Sequence, residues 1–279
     1  MTGFDTAGFD LPAYLQRLGC EDEVAPTLDT LRLLAAAHPS AIPFENLDPL
    51  LRRPVPLDIA ALMRKLVQEG RGGWCFEHNV LLGTALATIG FQVTGLAARV
   101  MWNAPPGVTT ARSHMVLRID LEGQTYIVDA GFGGLTLTAP LRLDAGLEQA
   151  TPHERFRFVD DGRGFVAEAL VRDEWKGLYR FDLAPQAIVD YEVSSWYLCT
   201  NPKSHFLTTL VAARVQPGRR YALRNTEFAI HHADGYTDRR ALLTARELRM
   251  TLEGMFAIDV PAGPEVDAVF ERIIAAAAV

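Results

Sequence analysis

The sequence predicts an α+β multidomain protein: helices first, then an antiparallel β-barrel or sandwich, then a mixed segment of strands and helices. Three observations carry this. Up to Gly90 the apolar residues recur at helical spacing between short proline-bearing loops; from Phe91 they form short strand-like runs divided by turn signals; and the two patterns follow one another in blocks. A doubly wound parallel sheet would interleave them.

The first helix starts with Asp10 as N-cap and Pro12 in its first turn. A second follows Thr27 along the stripe Leu28, Leu31, Leu34 and Ala35, and is expected to stop at His38-Pro39, because a proline steers the preceding residue out of the helical region. A third runs from about Asp58 to Gly70, which suits a left-handed stop, and a fourth from Cys75 to Gly90. The strand-like runs span 93–102, 114–121, 125–132, 155–159, 165–171 and 178–183, with turns at Glu122-Gly123 and Asp160-Asp161-Gly162. Beyond a stretch around Pro185 to Pro202, two or three further strands are expected within 207–232. Helices near Thr244 to Phe256 and Pro264 to Ala278 follow.

A net charge of -7 without a run of basic residues argues against a partner held by phosphate neutralisation, such as a nucleic acid, and favours small molecules. Asp5 and Asp10 stand where a signal peptide carries Lys or Arg, and the apolar tail Ile273 to Val279 is too short to span a bilayer. A cytoplasmic protein with no membrane partner is therefore expected. The three cysteines, Cys20, Cys75 and Cys199, are too scattered for a disulfide framework or a metal site. Adjacent His231 and His232 point to opposite faces of a strand and make a poor metal pair, so no metal is expected.

Arg71-Gly72-Gly73-Trp74-Cys75 leads two glycines and a tryptophan into a cysteine at a helix start, where partial positive charge and free N–H groups favour a thiolate. Cys75 is thus a candidate nucleophile, with glycines that let a ligand approach its sulfur. Of the seven histidines, His78 shares the helix face of Cys75. His114 opens one strand and Asp129 ends the next; a tight turn at Glu122-Gly123 makes them cross-strand neighbours. A carboxylate beside an imidazole fixes its tautomer and stabilises the imidazolium, which supports a thiolate.

These residues resemble the arylamine N-acetyltransferase family. The resemblance rests on Ile42-Pro43-Phe44-Glu45-Asn46-Leu47, the segment from Arg71 to Cys75, Ser113-His114, the segment from Asp129 to Gly133, and Trp196-Tyr197 with Thr200 to Phe206. It implies a helical bundle (1–90) carrying the nucleophile, a β-barrel with a connecting segment (91–202) carrying the histidine and aspartate, and an α/β lid (203–279). It implies a papain-like Cys-His-Asp triad of Cys75, His114 and Asp129. The implied reaction is ping-pong acetyl transfer from acetyl-CoA to an aromatic amine, hydrazine or N-hydroxyarylamine, by a cytosolic monomer or homodimer.

By the same resemblance Phe44, Phe132 and Phe206 line the acceptor pocket, and Ser113, Tyr197 and Lys203 lie near coenzyme A. Arg71 and Glu45 form a supporting ion pair. Gly131 and Gly133 fall short of a dinucleotide-binding fingerprint and are read instead as permitting close approach of the cofactor to the backbone. The same triad would serve an amide synthase of this superfamily or a cytosolic cysteine hydrolase. A binding protein that kept the scaffold and lost catalysis is disfavoured by the presence of all three residues.

Overall fold

The computed structural model describes residues 3–105 and 107–277. Its N-terminal part holds α1 (Leu11–Leu18), α2 (Leu28–Ala41), the short strand β1 (Phe44–Glu45), α3 (Leu47–Leu50), α4 (Ile59–Leu62) and α5 (Cys75–Ile89). Asp10 and Thr27 cap α1 and α2 by accepting from the backbone N–H groups of Ala13 and Thr30. At Met63, α4 passes into a π-helical stretch to Gln68, so the third expected helix changes pitch midway. Contrary to the proline expectation, α2 runs on to Ala41. Pro39 sits in the last turn and costs the helix one i→i−4 hydrogen bond, and the hydrogen bonds that the His38 ring makes with Tyr14 and His78 hold the preceding residue in the helix.

The barrel strands are β2 (Gln92–Val100), β3 (His114–Leu121), β4 (Gln124–Val128), β5 (Leu141–Arg142), β6 (Gln149–Ala150), β7 (Arg155–Asp160), β8 (Phe165–Val171) and β9 (Glu174–Pro185). They pair in the order β5-β4-β3-β2-β9-β8-β7-β6, all antiparallel. The sheet curls until its ends meet: the Gln149 amide donates to the Arg142 carbonyl at 2.9 Å and accepts from its N–H at 2.8 Å. Joining the two edges makes this a nearly closed barrel rather than a sandwich, filled by Leu96, Val116, Ile127, Phe156, Phe158 and Leu178. Between β3 and β4, Glu122 (φ 52°) and Gly123 (φ 76°) make the tight turn, and the ladder runs from Leu121 opposite Gln124 to Leu117 opposite Val128.

After α6 (Ile188–Thr200), a second sheet places β1 beside β10 (Val211–Gln216), β11 (Arg219–Arg224), β12 (Glu227–His232) and β13 (Thr237–Ala241). Its apolar face packs with α7 (Ala245–Gly254) and α8 (Pro264–Ala277) around Tyr221, Phe228, Leu252, Phe256 and Phe270. Ala278, where the last helix was expected to end, lies outside the described residues. Leu47 and Leu50 from α3 join this C-terminal core, and β1 joins its sheet. The Ile42–Asn46 segment therefore spans the helical and C-terminal parts.

Candidate active site

Cys75 is the first residue of α5, and Glu77 closes the preceding turn by accepting the Trp74 N–H at 3.0 Å. The glycines before it serve the protein's own packing: a Cβ on Gly72 would lie 2.1 Å from the Pro43 carbonyl oxygen. That closeness lets Gly73 N–H donate to Pro43 O at 3.2 Å and Glu45 N–H to Gly73 O at 2.8 Å, fastening β1 to the cysteine loop.

The Cys75 thiol is buried and donates to Ser113 O at 3.6 Å, next in sequence to His114, whose imidazole feels the charge of the sulfur. On the other side of that ring, Nε2–H donates to Asp129 Oδ2 at 2.7 Å, which leaves Nδ1 for the sulfur. The β3–β4 ladder would set Val116 opposite Asp129, so His114 meets Asp129 on a diagonal, on the same face of the hairpin. Burial pulls the imidazole down, but the charge and hydrogen bond of Asp129, with Cys75 adding to them, push it up to about 10. Burial also opposes ionisation of Asp129. The His114 charge and hydrogen bond, the Asn79 amide and the Gly131 N–H together hold it below the ordinary carboxylate value.

Asn79, one turn beyond Cys75, is the residue whose importance the sequence reading missed. Its Nδ2 donates to Met115 O at 2.7 Å and Asp129 Oδ1 at 3.0 Å, and its Oδ1 accepts the Ala130 N–H at 3.1 Å. One side chain of the cysteine helix thus grips both strands that bring the other two residues. Tyr179, also missed, packs its ring 4.9 Å from His114, and its buried phenol beside Asp129 is held well above its ordinary value, first by burial and then by that charge.

Phe132 lies edge-on to His114 at 5.2 Å, Phe44 is stacked on His78 at 6.4 Å, and Phe206 packs edge-on to Trp74 at 5.3 Å; all three are half-buried. Gly131 abuts the cysteine itself, since a Cβ there would lie 2.5 Å from Cys75 Cα, while a Cβ on Gly133 would lie 3.6 Å from the Phe44 ring. Ser113 is half-buried beside the thiol. Tyr197 on α6 and Lys203 in the following turn are exposed, and neither side chain is hydrogen-bonded to the Cys75 group.

Arg71 donates through Nε to Glu45 at 2.8 Å as one part of a larger buried cluster. Lys65 contacts Asp48 at 2.6 Å and Glu77 at 2.7 Å, and Arg71 also reaches Asp48 at 3.3 Å. Burial opposes both cations, but the surrounding carboxylates hold Lys65 and Arg71 above their ordinary values. Among the described residues, no group of three or more His, Cys, Asp or Glu side chains could hold a metal ion, and no helix is long and apolar enough to cross a membrane. His231 and His232 bond separately to Thr237 and Asp238.

A family model described as N-acetyltransferase matches residues 27–265. The chain is 44% identical over 265 residues to the arylamine N-acetyltransferase of Mycolicibacterium smegmatis, covering 93% of this chain and 96% of that one. It is 39% identical over 251 residues to the Salmonella typhimurium arylamine N-acetyltransferase / N-hydroxyarylamine O-acetyltransferase, covering 90% and 89%. The solved structure of Mycobacterium marinum arylamine N-acetyltransferase matches with a TM-score of 0.92 at 44% identity, over 95% of this chain and 100% of that one. The structure of that enzyme in complex with CoA gives 0.91 at 44% identity, over 95% and 99%.

Proposed function

The chain belongs to the arylamine N-acetyltransferase family, and from that premise we propose that it carries an acetyl group from acetyl-CoA to an aromatic amine, a hydrazine or an N-hydroxyarylamine by way of acetylated Cys75. The observation that carries this reading is a buried Cys75 thiol at a helix start, close enough for its charge to act on a His114 whose Nε2 is held by Asp129.

In the first half-reaction the proton of Cys75 rests on His114, whose imidazolium Asp129 stabilises, and the thiolate sulfur attacks the thioester carbonyl. As the tetrahedral adduct collapses, the carbonyl bond to the coenzyme's sulfur breaks and His114 returns the proton to the departing thiolate. In the second, an amine attacks the acetyl carbon, His114 takes the amine proton, and the Cys75 sulfur leaves with the electrons of its bond to the acetyl group. The Cys75 N–H, free of an intrahelical partner at the first position of α5, serves as one oxyanion donor. Asp129 keeps the His114 hydrogen on Nε2, so that Nδ1 can accept from sulfur or amine.

We assign Phe44, Phe132 and Phe206 to the aromatic walls for the acceptor, supported by their partial burial around the Cys75, His114 and Trp74 group. Ser113, Gly131, Gly133, Tyr197 and Lys203 are assigned to the coenzyme side, where exposed Lys203 would meet phosphate as a point charge. Arg71 and Glu45 brace the two loops. The functional units proposed are 1–90, 91–202 and 203–279, acting in the cytoplasm. All three reacting groups come from one chain, so a monomer or a homodimer satisfies the reading.

Intact-protein mass spectrometry after mixing with acetyl-CoA alone tests it, followed by peptide mapping and a chase with an arylamine. One acetyl group on Cys75, removed by the amine, is the expected result. No adduct on a thiol that iodoacetamide readily alkylates would overturn the reading and turn attention to the other acyl donors of an amide synthase or hydrolase.

A further inference from the structure

His78 shares the helix of Cys75 but stands outside the reacting group, at the end of a buried hydrogen-bonded chain. Tyr14 of α1, His38 of α2 and His78 each have 0% of their surface exposed. Tyr14 Oη lies 2.7 Å from His38 Nδ1, His38 Nε2 lies 2.9 Å from His78 Nδ1, and His78 Nε2 lies 3.2 Å from Pro43 O.

The last acceptor fixes every proton in the chain. A carbonyl oxygen only accepts, so His78 carries its hydrogen on Nε2 and its Nδ1 must accept from His38 Nε2–H. His38 Nδ1 then accepts the Tyr14 hydroxyl. Both rings are neutral, in a single tautomer. Burial, ahead of every other cause, holds His38 well below its ordinary value and brings His78 down to about 4.

Pro43 is where the chain reaches the active site. Its oxygen also takes the Gly73 N–H, two residues before Cys75. The next residue, Phe44, lays its ring parallel to His78 within 4°, 3.6 Å from where a Cβ on Gly133 would stand, and keeps part of its surface open.

We propose that His78 is a positioning residue for the acceptor half of the reaction: an imidazole locked in one tautomer by His38 and Tyr14, which aims Phe44 and so sets how an aromatic amine is held. The role rests on the acetyl-transfer reading and assigns work to a histidine that the triad leaves unused. A leucine would fill the space but free the Pro43 carbonyl from its side-chain donor and remove the flat partner of Phe44. A glutamine can donate to Pro43 O and accept from His38, preserving the chain.

The test separates the half-reactions in wild type, His78→Leu and His78→Gln. Acetylation is followed by release of coenzyme A; the acetyl-enzyme is then freed of coenzyme and discharged with aniline derivatives or with hydrazine, which has no ring. His78→Leu is expected to acetylate within about twofold of wild type, to discharge to hydrazine nearly normally, and to raise KM for arylamines about tenfold, with His78→Gln largely restoring it. Equal losses in acetylation and in both discharges would show a merely structural role and overturn the proposal, as would unchanged arylamine KM.

Imidazole ¹⁵N spectra of the wild-type protein give a readout that survives a variant failing to fold. His38 and His78 are expected as neutral Nε2–H tautomers from about pH 5.5 to pH 8, and a cation or an Nδ1–H tautomer at His78 overturns the proposal. Failure of wild type to form acetyl-cysteine would instead overturn the transfer reading and this role with it.

Discussion

Asn79 holds Asp129 from the helix that begins with Cys75: its amide nitrogen donates to Asp129 Oδ1 at 3.0 Å while His114 occupies Oδ2 at 2.7 Å. The same amide group also binds Met115 O and Ala130 N–H, next to His114 and Asp129 in sequence. Asn79→Ala would strip partners from both backbone groups in a fully buried place, at roughly 1–3 kcal/mol for each group left unpaired. The expected outcome is a lower urea midpoint and Cys75 acetylation slowed on the order of 10²-fold, since sub-ångström placement of the three groups is lost. Urea unfolding and stopped-flow release of coenzyme A measure the two effects; unchanged acetylation in a folded variant would refute the positioning argument.

Asp129→Asn tests the tautomer argument. Asn79 and Gly131 both donate to Oδ1, so an asparagine keeps its carbonyl oxygen there and turns its NH₂ toward His114 Nε2. The imidazole then becomes an acceptor at Nε2 and carries its hydrogen on Nδ1, facing a sulfur whose proton it can no longer take. A fall in kcat/KM of roughly 10²- to 10⁴-fold is expected, along with slow alkylation of Cys75 at neutral pH. Normal alkylation by iodoacetamide would contradict this account.

The glycines after Asp129 separate packing from tolerance. A methyl on Gly131 would come within 2.5 Å of Cys75 Cα and 2.8 Å of Cys75 O, both backbone atoms that cannot step aside cheaply, whereas Gly134 has nothing within 4 Å. Gly131→Ala is therefore expected to push the Asp129 loop off the cysteine helix and abolish most acetyl transfer. Gly134→Ala should stay within about 0.5 kcal/mol of wild type. Transfer assays paired with thermal melts distinguish the two, and an active Gly131→Ala protein would show that the loop yields.

The parts of this molecule legible in the sequence are those set by local chemistry. Helix starts at Asp10 and Thr27, the left-handed glycine at Gly70, the helix end at Gly90, and the Glu122-Gly123 turn that brings His114 near Asp129 all follow from a few adjacent residues. Helix α6 escapes the periodicity reading because apolar residues stand on both faces: Val189, Val193, Trp196 and Tyr197 are exposed, while the buried stripe is Tyr191, Ser195 and Leu198. The strand β13 is hidden by its polar residues Thr237, Asp238, Arg239 and Arg240 at a sheet edge. Asn79 and the Lys65 cluster draw their meaning from partners on distant segments, which no local pattern reveals.

That cluster predicts an uneven response to substitution. Glu45 faces Arg71 with no exposed side-chain surface and also accepts the Leu47 N–H, so Glu45→Ala leaves a buried guanidinium short of one counter-charge. A loss of about 3–5 kcal/mol is expected, as for other buried pairs broken on one side. Exposed pairs such as Arg32 with Asp29 should contribute less than about 1 kcal/mol. Denaturant titrations of Glu45→Ala and Asp29→Ala compare them directly, and equal small losses would show that Asp48 alone suffices to hold Arg71.

Acid sensitivity should trace to the enclosed histidine pair. Around it, Arg17 opposes a charge on His38 and Lys65 opposes one on His78, while Asp129 favours the latter without overcoming burial. The folded chain therefore keeps both rings neutral while the unfolded chain protonates them near pH 6.5, so stability is retained above that pH and lost as pH falls toward about 4, the folded value for His78. His114 has the opposite sign: its contribution is complete below about pH 6.5 and lost as pH rises toward about 10, so it adds no slope in the acid window. Each buried ring should contribute about 1.4 kcal/mol per pH unit to the acid slope. His78→Gln, which keeps the hydrogen bonds and removes one titrating group, is expected to flatten the slope by that amount between about pH 6 and pH 4.5. Urea unfolding at several pH values in that range measures the difference, and parallel curves for the two proteins would place the acid sensitivity elsewhere.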